Sequence, residues 1–222
     1  VIGASAACSS SGGTPEETAM RRSQFRSTDP GDLREIMDRC EVGQLGIVAA
    51  DGIPIPVPVN FVWHEGRVVF HGAAAGEKYR VMAEGARVSF SAALHYSLLA
   101  PSLLADVSAC GTTQFYKSAL VRGRGEVLAD PLQALAGLES LMRKYVPEGG
   151  YEPLSLASDQ WGRLLRGTAV FAIQPLQVDV KVYMGQSMTP ERRAVVIAAL
   201  QRRGADLDLD TAREIARYAP PV

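Results

Sequence analysis

The chain has 222 residues, 47% of them hydrophobic and 21% charged, with a net charge of −1. That length fits one ordinary domain with a real core. The near-neutral charge excludes the basic footprint of a nucleic-acid binder and an acidic interaction tail, and no apolar run approaches the roughly 20 residues of a membrane span, so a soluble chain is expected.

Residues 1–19 are small, polar and without period, which predicts a disordered segment. They lack the charged and apolar regions of a signal peptide. Asp29-Pro30 predicts a helix start, with the aspartate as N-cap and the proline in the first turn. Leu33, Ile36, Met37 and Cys40 follow at helical spacing, and the helix should stop before Gly43. Its expected task is to cover an opening of the sheet that follows.

Residues 43–91 read as strand, turn, strand, turn, strand, short helix, strand. Asp51-Gly52 and Glu65-Gly66 mark the two turns. Pro54, Pro56 and Pro58 alternate in the second strand. Proline donates nothing to a sheet ladder, so this strand should lie at an edge or carry a bulge. The third strand ends in HGAAAGEK, His71 to Lys78, which opens a helix. Unpaired N–H groups at such a turn, with Lys78 close by, suit a phosphate. The turn is not a Walker A loop, because a glycine would have to stand at Glu77, and it is not a dinucleotide GxGxxG.

Leu94 to Val107 reads as a long loop, or a loop with one helical turn, holding His95 and Tyr96, and Pro101 interrupts it. Thr112 to Leu128 reads as a long strand pair or one bent strand, with Gly123 and Gly125 at a bulge or corner. Along it Tyr116 and Ser118 share one face and Lys117 takes the other. Asp130-Pro131 caps a helix to about Val146 with Leu135, Leu138, Leu141 and Met142 inward. A last strand spans Ala169 to Tyr183 with a kink at Gln174-Pro175. Thr189-Pro190 caps a further helix, with Val195, Ile197, Ala198 and Leu200 apolar and Gly204 at its end, and a second short helix starts near Asp210. The arginines and carboxylates of this tail nearly cancel, so it reads as a helical hairpin packed on the fold or on a second subunit, not as a DNA reader.

Cys8, Cys40 and Cys110 have neither CxxC nor metal spacing and read as free thiols of a reducing cytoplasm. No HExxH, no GxSxG and no carboxylate pair at catalytic spacing is present, which argues against a hydrolase or a metalloenzyme.

The runs LGIVAADGIPIPVPVNF (Leu45 to Phe61) and VVFHGAAAGEK (Val68 to Lys78) carry a resemblance, together with Arg87-Val-Ser-Phe. Cys110 to Ser118 and Val121 to Glu126 extend it. In this order and spacing they resemble the split-barrel proteins related to pyridoxamine 5'-phosphate oxidase, within them the nitroimidazole-reductase-like group, over Met20 to Gly185. The resemblance implies a mainly β fold with helices (α+β), an FMN-binding split β-barrel spanning 20–185, with a helical extension over 186–222. It implies a homodimer with the flavin at the subunit interface and a small-molecule substrate, such as a nitro compound, another flavin or a quinone.

Residue by residue, the resemblance places Lys78 at the flavin phosphate, with Gly72 in the same turn. Val57, Pro58, Val59 and Asn60 would run beside the isoalloxazine. Tyr116 and Ser118 would face the flavin from the second subunit. His71 would contact phosphate or ribityl oxygens, act as an acid on a bound substrate, or ligate haem iron. Oxidase members carry a basic residue where Glu77 stands and an arginine on the proline-rich strand. Both are missing here, so true pyridoxamine-phosphate oxidase activity is not expected, and Arg80, Arg122 or Arg124 would have to substitute at the phosphate. The alternatives are a deazaflavin in place of FMN, a haem-binding barrel using His71 or His95, and a cofactor-free dimeric scaffold.

Overall fold

A computed structural model describes residues 23–104, 112–157 and 167–219. Cys8, Cys110 and the 1–19 segment lie outside the described residues. A 3-10 turn at Ser23–Phe25 leads into β1 (Arg26–Ser27) and α1 (Pro30–Arg39). Then come β2 (Val42–Val48), β3 (Pro54–Asn60), β4 (Val62–His64), β5 (Arg67–Ala73), α2 (Gly76–Ala83) and β6 (Arg87–Leu99). The remainder is β7 (Thr113–Val127), α3 (Pro131–Tyr145), β8 (Thr168–Tyr183), α4 (Pro190–Arg203) and α5 (Asp208–Arg217).

All strand pairs are antiparallel, in the order β3-β2-β6-β7-β8-β5-β4, with β1 added alongside β8. The two edges of this sheet, β3 and β4, are consecutive in sequence and separated only by Phe61. The sheet must therefore curl until its edges nearly meet. β3 approaches β5 across the seam without pairing to it, and the result is a split barrel. Leu45, Phe61, Phe70, Phe90, Val121 and Phe171 fill its interior.

The crossing at Phe61 is clamped by α3. The Tyr145 hydroxyl accepts from Phe61 N–H at 2.9 Å and donates to the Glu41 carbonyl at 2.6 Å. The Lys144 ammonium donates to the carbonyls of Met37 (2.7 Å), Cys40 (2.8 Å) and Phe61 (2.9 Å), and sits 3.8 Å from the Phe61 ring centroid. Two of these carbonyls end α1, where a cation is favoured by the helix dipole. Burial pushes the lysine down to about 8, against an upward pull from Cys40, Asp38 and Glu41.

Ile36 and Met37 of α1 plug one barrel opening, as expected. α3 covers β4, β5 and β8 through Ala134, Leu138 and Leu141. The tail pair α4–α5 packs on Tyr96, Leu99, Phe115, Val182 and Met184. All three Asp-Pro or Thr-Pro starts are real N-caps, whose side chains accept from Gly31, Leu132 and Arg192 N–H.

Several expectations need correction. Leu94 to Leu99 is not loop but the continuation of β6, with a register shift between His95 and Leu98; the one helical turn allowed for this segment is the 3-10 turn at Pro101–Leu103, and residues 105–107 lie outside the described residues. The buried face of α4 is Arg193, Val196, Ala199 and Leu200, whereas Val195 is 52% exposed. The second tail helix, expected near Asp210, starts at Asp208. In α3, Ala134 and Gly137 are buried with Leu138 and Leu141, while Leu135 is only half-buried.

Candidate functional site

β5 is held on both sides, by β4 and β8, and ends at Ala73; beyond it Gly76 takes φ +88, a conformation that side-chain-bearing residues rarely adopt. Helix α2 then starts without a side-chain cap, so its first N–H groups are open to a ligand. Lys78 folds back over β5. A Cβ at Gly72 would lie 2.5 Å from Lys78 Nζ, so the bare backbone there is what admits the lysine. The ammonium rests 5.5 Å from the Phe171 centroid and 5.8 Å from that of Phe70. Among the described residues it has no carboxylate partner. Burial lowers its pKa, as expected of a cation held on apolar rings.

His71 lies beside it, exposed on the α3 side of β5. Burial by its surroundings and then the Lys78 charge lower its pKa below 6.5, so the imidazole is neutral at pH 7. Glu77 turns away from this pair. It accepts from Ala50 N–H in the β2–β3 turn at 3.2 Å and faces Arg80 at 3.6 Å. Arg80 is also bound to Glu84 (3.3 Å), Arg122 to Asp179 (3.0 Å), and Arg124 to the Gly85 carbonyl (3.2 Å). Each of the three thus already has a partner of its own.

β3 flanks the same region as an edge strand, as its prolines required. Because proline has no N–H, the ladder to β2 runs through Ile55, Val57 and Val59, and the Pro54, Pro56 and Pro58 positions face the open edge with carbonyls alone. Val59 is buried in the barrel and Val57 half-buried against it, while Pro58 and Asn60 point outward. The Asn60 amide donates to the Glu41 carbonyl at 3.1 Å.

Tyr116 and Ser118 belong to another part of the sheet. Ser118 stands opposite Lys181 on β8, whereas His71 stands opposite Val170. Those β8 positions are separated by roughly 36 Å of strand at ~3.3 Å per residue. One chain therefore does not bring Tyr116 and Ser118 to Lys78. Tyr116 stacks on Tyr183 at 5.6 Å instead, under the Lys181 ammonium at 5.1 Å. His64 hydrogen-bonds Ser140 Oγ at 2.9 Å and is structural. His95 is exposed on the same outer face as Tyr116.

Sequence reading missed the Glu77 contact to the β2–β3 turn. It also missed the clustering of Arg87, Arg122 and Arg124, because cross-strand register is invisible without pairing. Among the described residues no group of three His, Cys, Asp or Glu side chains forms a metal site, and no helix is long and apolar enough to cross a membrane.

A family model described as pyridoxamine 5'-phosphate oxidase matches residues 29–182. The flavocytochrome Anf3 from Azotobacter vinelandii superposes with TM-score 0.63 at 21% identity, covering 78% of this chain and 75% of that one. An FAD and heme binding protein from Mycobacterium smegmatis gives TM-score 0.59 at 24% identity, covering 72% and 74%. A protein assigned to 5-nitroimidazole antibiotic resistance from Bacteroides thetaiotaomicron gives 0.56 at 22% identity, covering 71% and 86%. At these identities the superpositions establish the shared fold. No curated protein matches the chain.

Proposed function

The chain belongs to the pyridoxamine 5'-phosphate oxidase family of flavin-binding split barrels, and from that premise we propose that it binds FMN and serves as a flavin-dependent oxidoreductase for a small molecule. The observation that carries this reading is the Lys78 ammonium, folded over Gly72 without a carboxylate, beside the open start of α2. One cation and one set of helix N–H groups suit one phosphate group. Along Pro54, Pro56 and Pro58 the open edge of β3 offers backbone acceptors and no backbone donor, which fits the N–H edge of a flavin ring.

A bound flavin would supply two-electron transfer. The chain's own residues would hold and orient it. Lys78 would neutralise phosphate charge. Neutral His71 would donate one ring N–H to a phosphate or ribityl oxygen, a role that its lowered pKa favours over that of a proton-delivering acid. Tyr116 and Ser118 would complete the site only from a second copy, so the working unit in this reading is a homodimer.

The test is a titration of the cofactor-stripped protein with FMN, followed by flavin fluorescence, beside Lys78→Ala. Saturable binding of one FMN per chain, weakened at least about ten-fold in the variant, supports the reading. Absence of binding at tens of micromolar overturns it for FMN. A neutral, accessible His71 also favours a second reading, haem ligation. Hemin addition would then give a Soret band that His71→Ala abolishes.

A further inference from the structure

Phe61 is the single residue between β3 and β4. β3 would flank the flavin ring, and β4 pairs with β5, which carries His71 and leads to the Lys78 turn. The crossing at Phe61 therefore joins the two walls of the seam, and its position sets how far apart they stand. β3 has little else to fix it, because among the described strands it pairs with β2 alone.

The group that holds this crossing is a cation. Three carbonyls converge on the Lys144 ammonium, those of Met37 and Cys40 from the end of α1 and that of Phe61 from the crossing itself. An ammonium has three N–H donors, and these acceptors engage all of them. The Phe61 ring lies 3.8 Å from the same cation and packs on Phe90 at 4.7 Å. A neutral amine keeps only two N–H groups and gains a lone pair. Loss of the proton therefore leaves one carbonyl without its donor and ends the attraction to the ring.

The charged and titratable groups around the ammonium are Asp38, Cys40 and Glu41 at the α1 end and Tyr145 on α3. Burial outweighs the pull of the first three, so the proton leaves at about 8. Burial moves Tyr145 upward instead, so the phenol stays protonated there. The folded chain holds the lysine proton less tightly than the unfolded chain, whose lysine titrates near 10.5. This group's contribution to stability therefore rises, not falls, as pH passes from about 8 toward 10.5. What loosens near pH 8 is the crossing and not the whole fold.

We propose, on the flavin reading above, that Lys144 is a positioning residue for that site and a proton switch on it: the ammonium holds the Phe61 crossing where a flavin needs β3, and loss of its proton loosens β3 and weakens flavin binding. Lys144 acts through Phe61 and not on the flavin.

The test is titration of the full chain with riboflavin and with FMN between about pH 6.5 and about pH 9, followed by flavin fluorescence. Riboflavin has no phosphate, so the charge of Lys78 drops out of its affinity. In wild type both affinities should fall about ten-fold as pH rises through about 8. Lys144→Arg stays charged over this range and should hold the riboflavin affinity level. Lys144→Met should bind riboflavin about ten-fold more weakly already at about pH 7, with no further fall. Cys40→Ala should keep the wild-type profile. In a Trp161→Phe background, Trp63 of β4 is the sole tryptophan, and its emission without flavin should change at the same midpoint in wild type but not in Lys144→Arg. The switch alone is overturned if flavins bind and Lys144→Arg falls as wild type does, if Lys144→Met matches wild type at about pH 7, or if Cys40→Ala removes the profile. Absence of flavin binding at every pH overturns the flavin reading, and the role of Lys144 at that site with it.

Discussion

Lys117 is fully buried, and its ammonium lies 2.6 Å from Glu35, 2.6 Å from Glu214 and 3.3 Å from Asp32. Burial alone would lower its pKa, but the hydrogen bonds and charges of Glu214 and Glu35 outweigh that and raise it. The carboxylates come from α1 and α5, so one side chain of β7 joins the first helix to the last. Removing it strands buried negative charge, which is costlier than the pair itself is stabilising. Lys117→Met should therefore destabilise the fold by about 3–5 kcal/mol in urea unfolding; a loss below about 1 kcal/mol would show that the carboxylates simply rehydrate. At the proposed flavin site the sign is different. His71 has its pKa lowered by burial and by Lys78. A phosphate bound at Lys78 opposes both effects, so the pKa of His71 should rise on binding and the complex should take up protons near neutral pH. Phosphate affinity should accordingly increase as pH falls through the His71 pKa, a trend that His71→Gln should flatten. An NMR titration of the imidazole with and without FMN checks it, and an unmoved pKa would place the phosphate elsewhere.

At the scale of the element, α5 is seated by its first residue. Asp208 is fully buried, accepts from Arg203 (2.7 and 2.5 Å), Ser97 Oγ (2.5 Å) and Ala205 N–H (2.9 Å), and is held down to about 2, chiefly by Arg203. A carboxylate with a depressed folded pKa stabilises the fold above its unfolded pKa of 3.8 and loses that contribution as pH falls toward 2. The difference corresponds to about 2 kcal/mol. Wild type should thus exceed Asp208→Asn in stability at pH 6, and the gap should narrow between pH 4 and 2, as read by chemical denaturation at several ~pH values. A pH-independent gap would assign the effect to packing. β3 makes another prediction: Pro56→Val restores an N–H on the free edge, and the variant should associate through that strand more readily than wild type, as light scattering during refolding would show. The caps and the edge strand were legible in the sequence because each is local: Asp29-Pro30, Asp130-Pro131, Thr189-Pro190 and the proline alternation state their own geometry. The extension of β6 past His95 was not, because the register shift there breaks the two-residue period. Nor was the inward face of α4, which is chosen by the barrel surface beneath it.

For the molecule as a whole, the strand map decides what one chain can do alone. Lys78, His71 and β3 gather near the seam, while Tyr116 and Ser118 lie far along the sheet. The resemblance assigns both groups to one site, yet only the register reveals that one chain leaves them apart; the charge cluster around Lys117 was likewise illegible, since its members are brought together from residues 32, 35, 117 and 214. The outer face carrying Pro58, Ser91 and Ser118 also exposes Val42 and Val48, and helices α1 to α5 bury their apolar sides elsewhere. A second copy laid on that face would bring its Tyr116 and Ser118 toward the first copy's Lys78. Sedimentation should then give a dimer. Ser91→Arg, placed at an exposed position in the middle of the face, should yield a folded monomer that has lost FMN affinity even though it touches neither Lys78 nor His71. A Ser91→Arg monomer that binds FMN as wild type does would show that one chain forms the whole site, and the roles given to Tyr116 and Ser118 would fall with it.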